Sequence, residues 1–204
     1  MPHLSSRLRR PDLLHVCFIH LADVDLPALA PLQQSLSSAE RQRLARLQRE
    51  ADQRRFVLAH AAIRHAIGQT LGLNPKDVPF ENSAYGKPAL APAYAGLHFN
   101  LSHAGDWVAL AWTRLAPIGI DVEQAISWFA DLLPECAQAA EQAELQASQQ
   151  PDQAFLRLWT CKEAVLKAHG SGLSIPMKQV TLQTAKTDGW MTATLAQDAT
   201  PYLV

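Results

Sequence analysis

Pro117-Ile-Gly-Ile-Asp-Val-Glu123 stands where the chain changes character. Residues 1 to 115 carry 13 basic and 9 acidic side chains, and residues 116 to 204 carry 5 and 10, so halves of +4 and −5 hide behind a formal net charge of −1. Anionic ligand groups would favour the first half and a metal the second. The run itself reads as a strand after a proline break, with Ile120 and Val122 on one face and Asp121 and Glu123 together on the other. Two such carboxylates are either solvated on an exposed sheet face or, since like charges side by side repel, gathered round a cation. Oxygen ligands of this kind suit Mg²⁺, with Mn²⁺ able to take its place, better than zinc.

Outward from that run, Leu97 to Leu101 and Trp107 to Trp112 read as strands joined by Ser102-His-Ala-Gly-Asp106, and Tyr85-Gly-Lys-Pro88 reads as a turn. Ser102 and His103, at a strand end beside a glycine turn, could face a ligand, though a lone histidine also serves as a structural residue. Lys87 is a phosphate contact or a solvated turn lysine. Leu13 to Leu21 predicts a first strand. Ser37 or Ser38 caps a long arginine-rich helical region running to about Gly72, in which Phe56, Ala59, Ile63 and Ile67 form the core stripe and Arg55 and Arg64 lie off it. The seven arginines from Arg41 to Arg64 form mainly a solvated face, with one or two available to an anion.

Downstream, Asp152 after Pro151 is placed as the N-cap of a helix from about Gln153 to His169, stopped by Gly170 and Gly172. Trp159 is placed at the centre of its buried face, and Lys162 within that stripe needs a partner. Glu163 and Lys167, four apart at the margin, form a surface ion pair or reach into a cleft. Residues 137 to 150, rich in alanine and glutamine, read as an exposed helix or connection without chemistry. Val180 to Thr184 and Trp190 to Leu195 predict a closing hairpin round Asp188-Gly189. Phe56 to Leu73 and Phe155 to Leu173 echo each other as helices ending in Gly-Leu, a thin sign of duplication.

Cys17, Cys136 and Cys161 are odd in number and far apart, which favours a reducing, cytoplasmic setting over a disulfide framework. Arg7 to Arg10 followed by Leu13 to Ala22 loosely imitates a signal peptide, but His15, His20 and Asp23 interrupt it. No apolar stretch is long enough to span a bilayer, and the charge argues against coating nucleic acid or membrane.

Taken together, Gly86-Lys-Pro88, Phe99-Asn-Leu-Ser-His103, Gly119-Ile-Asp-Val-Glu123 and Trp159-Thr-Cys-Lys-Glu163 through Lys167 to Gly170-Ser-Gly-Leu173 resemble the 4'-phosphopantetheinyl transferases of the Sfp type in order and spacing. The resemblance covers roughly Arg55 to Leu182. It implies Mg²⁺-dependent transfer of the phosphopantetheine arm of coenzyme A to a serine of an apo acyl or peptidyl carrier protein, releasing adenosine 3',5'-bisphosphate. It also implies an α+β fold of two similar, pseudo-symmetric halves, 1–115 and 116–204, with the active site between them. A monomer is the expected state.

By the same resemblance Asp121, Glu123 and Glu163 would surround the metal, with Glu163 also the base for the carrier serine. Lys167, catalytic through the charge it brings, would contact coenzyme A phosphates together with His103. Lys87 and Ser102 would meet the nucleotide end, Asp121 would border the coenzyme A site, and Lys162 would orient Glu163 or a phosphate. Arg55 lines up with the family's arginine ahead of the helix, and Arg41, Arg43 and Arg54 are further candidates for the 3'-phosphate. Trp128, Phe129, Leu132 and Leu133 are candidates for docking the carrier. Ala104 departs from the pattern, where a serine is common. Two rival expectations stand beside the transferase: a catalytically silent coenzyme A- or carrier-binding protein of the same fold, and a phosphohydrolase of the pyrophosphate bond.

Overall fold

The alternating apolar residues of the first half become a sheet because one set of side chains can be buried against a helix. The structure, a computed structural model, describes residues 13–82, 87–124, 131–184, 191–196 and 198–204. Within the first half, β1 (His15–His20) is followed by α1 (Leu26–Gln33), α2 (Ser38–Leu44) and α3 (Glu50–Leu71), then β2 (Phe80–Asn82), β3 (Pro88–Leu90), β4 (His98–Ala104) and β5 (Trp107–Thr113). β1, β5 and β4 form an antiparallel sheet in that order, and β2 pairs with β3. Phe99, Val108, Leu110 and Trp112 project from the larger sheet onto Leu58, Ala59, Ile63, Ala66 and Ile67 of α3. Alternation sends Asn100, Ser102, Ala109 and Ala111 to the opposite face.

The arginine-rich region is two helices rather than one. Ser37 caps α2 through a capping box with Glu40, and α3 ends at Gly72, whose φ of 72° is a left-handed conformation that favours glycine. Arg64, placed off the core stripe by the sequence, is buried at 3 % exposure. Its guanidinium has partners there: Glu40 at 2.6 Å and the carbonyls of Pro75, Lys76 and Val78 at 3.0 to 3.3 Å. A fixed fork of donors can be buried where acceptors surround it.

The second half comprises α4 (Leu133–Cys136), α5 (Ala139–Ala147), α6 (Pro151–His169) and an antiparallel meander of β6 (Val180–Thr184), β7 (Met191–Leu195) and β8 (Asp198–Leu203). Its core joins Phe155, Val165 and Leu166 of α6 to Ile175, Met177, Val180, Ala193 and Leu195. α6 begins with Pro151 in its first turn and Gln150 as N-cap, so Asp152 lies inside it. Trp159 is only partly buried, and the buried face centres instead on Lys162, which is fully buried. Its ammonium donates to Glu141 Oε2 at 2.6 Å and the Cys136 carbonyl at 3.0 Å. Residues 137–150 therefore do carry chemistry, of a structural kind, and Lys162 does not reach toward Glu163 or a phosphate.

Three other expectations change. Residues 117–124 form no regular strand, for the local reason given below. β8 was not anticipated, because Asp198 and Pro201 break its apolar pattern. Leu132 and Leu133 are partly buried against the second core, so only part of each side chain stays open for docking. Trp128, Phe129, the turn around Asp188-Gly189 and the N-terminal arginines lie outside the described residues. Among the described residues no helix is long and apolar enough to cross a membrane.

Candidate active site

Between β4 and α6 runs the segment 118–124, held by side chains where a strand would be held by backbone. The Ile120 N–H donates to Asn100 Oδ1 at 2.9 Å and the Val122 N–H to Ser102 Oγ at 3.4 Å. Asn100 and Ser102 thus occupy the positions that ladder carbonyls would take, which is why the segment tracks the sheet without joining it. On its other side it presses on α6: a Cβ at Gly119 would fall 1.9 Å from the Ala164 carbonyl oxygen and 2.5 Å from the Ala168 nitrogen. Only glycine allows so close an approach of two backbones.

This squeeze delivers Asp121 to the junction. Its side chain is 2 % exposed, and Oδ1 accepts hydrogen bonds from Ser102 Oγ at 2.9 Å and Lys167 Nζ at 2.5 Å. Lys167 also donates to Ser102 at 3.0 Å. Asp121 Oδ2 is buried with no hydrogen-bond partner among the described residues. Glu163, one turn of α6 before Lys167, is pushed above the ordinary glutamate value by burial; Asp121 and Glu123 add to that push and Lys167 opposes it. Glu123 is exposed by comparison, and it too is raised, by burial first and then by Asp121. The three carboxylates and one ammonium share a single electrostatic neighbourhood.

Neighbours in a strand point to opposite faces, so Ser102 turns to Asp121 while His103 turns to the α3 side. The site therefore wraps round the end of β4. The His103 pKa is lowered by burial first and then by Arg55, with smaller lowering from His60 and Lys167, against a backbone hydrogen bond that raises it. That direction favours the neutral ring. Arg55 reaches from α3 to the β4–β5 turn, donating to the Gly105 carbonyl at 2.6 Å and to Asp52 at 2.8 Å. Lys87 donates to the carbonyls of Ile118, Lys167 and Ala168. His60, held by Glu40 at 3.0 Å, and Asn100, 7 % exposed, were not singled out by sequence. The signal for Asn100 was an amide inside the apolar run Phe99-Asn-Leu101.

A divalent cation fits this donor set in chemistry: carboxylate oxygens, one of them buried and unpartnered, beside groups suited to phosphate. Among the described residues no three His, Cys, Asp or Glu side chains converge closely enough to hold a metal by themselves. In this arrangement the Lys167 ammonium lies against Asp121. Mg²⁺ commonly takes one or two carboxylates and fills its shell with water and substrate phosphates, which suits such a partial set.

Residues 117–202 match the 4'-phosphopantetheinyl transferase superfamily, and residues 27–114 match the 4'-phosphopantetheinyl transferase N-terminal family. A 4'-phosphopantetheinyl transferase of Bacillus subtilis is 32% identical over 173 residues, spanning 83% of this chain and 75% of the relative. The chain belongs to the 4'-phosphopantetheinyl transferase family. The transferase HetI of a Nostoc species is 35% identical over 169 residues, covering 80% of this chain and 71% of its own, and Sfp of Bacillus subtilis is 30% identical over 168, covering 81% and 74%. In this family member Asp121, Glu123, Glu163 and Lys167 come from one matched region and Arg55, Lys87, Ser102 and His103 from the other, so the candidate site depends on both.

Proposed function

We propose that the protein transfers the 4'-phosphopantetheine arm of coenzyme A to a serine of an apo acyl or peptidyl carrier protein and releases adenosine 3',5'-bisphosphate. The observation that carries this reading is the junction of Asp121, Ser102 and Lys167, with the raised Glu163 one turn away. A carboxylate with an elevated pKa is a better base than an ordinary one, and a serine hydroxyl needs such a base. The serine oxygen bonds to the phosphorus bearing the pantetheine arm, its proton passes to Glu163, and the phosphorus–oxygen bond to the adenosine 5'-phosphate breaks. Charge grows on the phosphoryl oxygens and on the leaving phosphate, so fixed cations dominate the barrier.

Lys167 supplies one such cation, and His103 gains a proton as phosphate approaches. Arg55 meets the nucleotide end. Bound Mg²⁺, or Mn²⁺, would be held by Asp121, Glu123 and Glu163 and would neutralise pyrophosphate charge. In each half a long helix packs on a three-stranded antiparallel sheet, which supports reading the fold as two similar halves with the site between.

Incubation with coenzyme A, Mg²⁺ and a panel of apo fatty-acid, polyketide and nonribosomal peptide carriers should add one phosphopantetheine mass to at least one carrier serine. Coenzyme A binding without transfer across the panel would leave a silent binder. Release of free phosphopantetheine without a carrier would make the protein a hydrolase.

A further inference from the structure

We infer that Lys87 is a positioning residue, a brace that fixes Lys167 and Asp121 relative to each other, and that it does not grip coenzyme A. The inference rests on the transferase reading of the site. Lys87 immediately precedes β3 in the first half, yet its ammonium faces main chain belonging to the second: the Ile118 carbonyl at 3.2 Å, the Ala168 carbonyl at 3.4 Å and the Lys167 carbonyl. The stem runs beside Gly170, where a Cβ would lie 3.9 Å from Lys87 Cδ.

Gly170, at φ 88°, ends α6 and leaves the carbonyls of its last turn without intrahelical donors. A cation there satisfies those oxygens and meets the negative end of the helix dipole. All three carbonyls lie within hydrogen-bond reach of one ammonium, a group with three N–H donors to offer. They also close a ring of contacts. Lys87 holds the main chain of Lys167, the Lys167 side chain holds Asp121, and three residues back along the chain Ile118 returns to Lys87. Loosening any link lets the ammonium of Lys167 and the carboxylate of Asp121 shift against the reacting phosphorus.

The test compares K87M, which keeps the stem and loses every donor, with K87Q, whose amide still donates. Three quantities are read: coenzyme A affinity by calorimetry, kcat and KM for coenzyme A, and hydrogen exchange of the Ile120, Val122 and Gly170 amides in ligand-free protein. In K87M we expect exchange at these amides to rise about tenfold and kcat to fall about tenfold, with the coenzyme A Kd within about twofold of wild type. K87Q should recover part of both. A Kd weakened about tenfold with exchange and kcat unchanged would make Lys87 a ligand contact, and unchanged values throughout would equally overturn the brace. Should the wild-type protein modify no carrier, the exchange measurement still decides the matter. Should K87M fail to fold, K87Q carries the same readings.

Discussion

At the scale of single residues, Asp121 concentrates the site's electrostatics. Asp121→Asn keeps its shape and removes its charge, which leaves the Lys167 ammonium facing a weak acceptor and loses one oxygen anion from any metal shell. Transfer should drop by at least about a hundredfold in kcat, the scale of losing one preorganised electrostatic contact, while circular dichroism stays native. His103 makes a separate prediction with a definite sign. In the free protein its pKa lies below the ordinary histidine value because of burial and then Arg55, which favours the neutral ring. Phosphates nearby stabilise the imidazolium, and binding should therefore take up a proton. Coenzyme A affinity should rise as pH falls from about 8 toward the ordinary histidine range near 6.5, and calorimetry in buffers of different ionisation enthalpy should count the proton. His103→Ala should abolish both effects. Ser102 shows how much the residues alone revealed: its place in Phe99-Asn-Leu-Ser-His103 marked it as a site residue, but its bond to Asp121, 19 positions away, depends on a tertiary contact no local pattern encodes.

At the scale of elements, α6 was legible almost to the residue, because a proline opens it, a glycine closes it and its apolar period is regular. The segment 118–124 was not. Its alternation matches a strand, and what denies it that form is the competition of Asn100 and Ser102 for its N–H groups together with the close contact of Gly119 and α6. Gly119→Ala should consequently cost about 2 kcal/mol or more by overpacking and should weaken transfer through displaced Asp121, measurable by urea unfolding and kcat together. Lys162 and Arg64 illustrate a second blind spot: periodicity reports which positions are buried, while the partner that makes a buried cation tolerable comes from elsewhere in the chain. Glu40 is such a partner for α3. Burial alone would raise its pKa, but hydrogen bonds from His60, Arg64 and the Ser37 backbone outweigh that and hold it at about 2, against an ordinary 4.5. A carboxylate depressed on folding stabilises the native state above its unfolded value. That contribution, about 2 kcal/mol after discounting for solvent, should vanish as pH falls from 4.5 toward 2, and Glu40→Gln should flatten the slope of urea midpoint against pH.

At the scale of the whole molecule, the hydrophobic packing of the first half and that of the second are joined by a polar junction in which Lys87, Ser102, Asn100, Asp121 and Lys167 make the contacts. A ligand seated there binds both halves and only the folded state. Coenzyme A with Mg²⁺ at about a hundred times its Kd should therefore stabilise the fold by about 2.7 kcal/mol, or a rise in Tm of roughly 5 to 10 °C, read by differential scanning fluorimetry. Omitting the metal should shrink the rise. The division into a basic half and an acidic half was visible from charge alone, whereas the junction was not, since it is built from side chains that are individually unremarkable polar residues. The pairing of Lys167 with Asp121 has one more consequence. A single ammonium serves as resident counterion to the carboxylate that a metal would claim, so occupancy by an external cation would liberate that ammonium for phosphate, and substrate phosphate would in turn draw it off the carboxylate. Two such binding events would be thermodynamically linked through one exchangeable charge, each strengthening the other by the same factor.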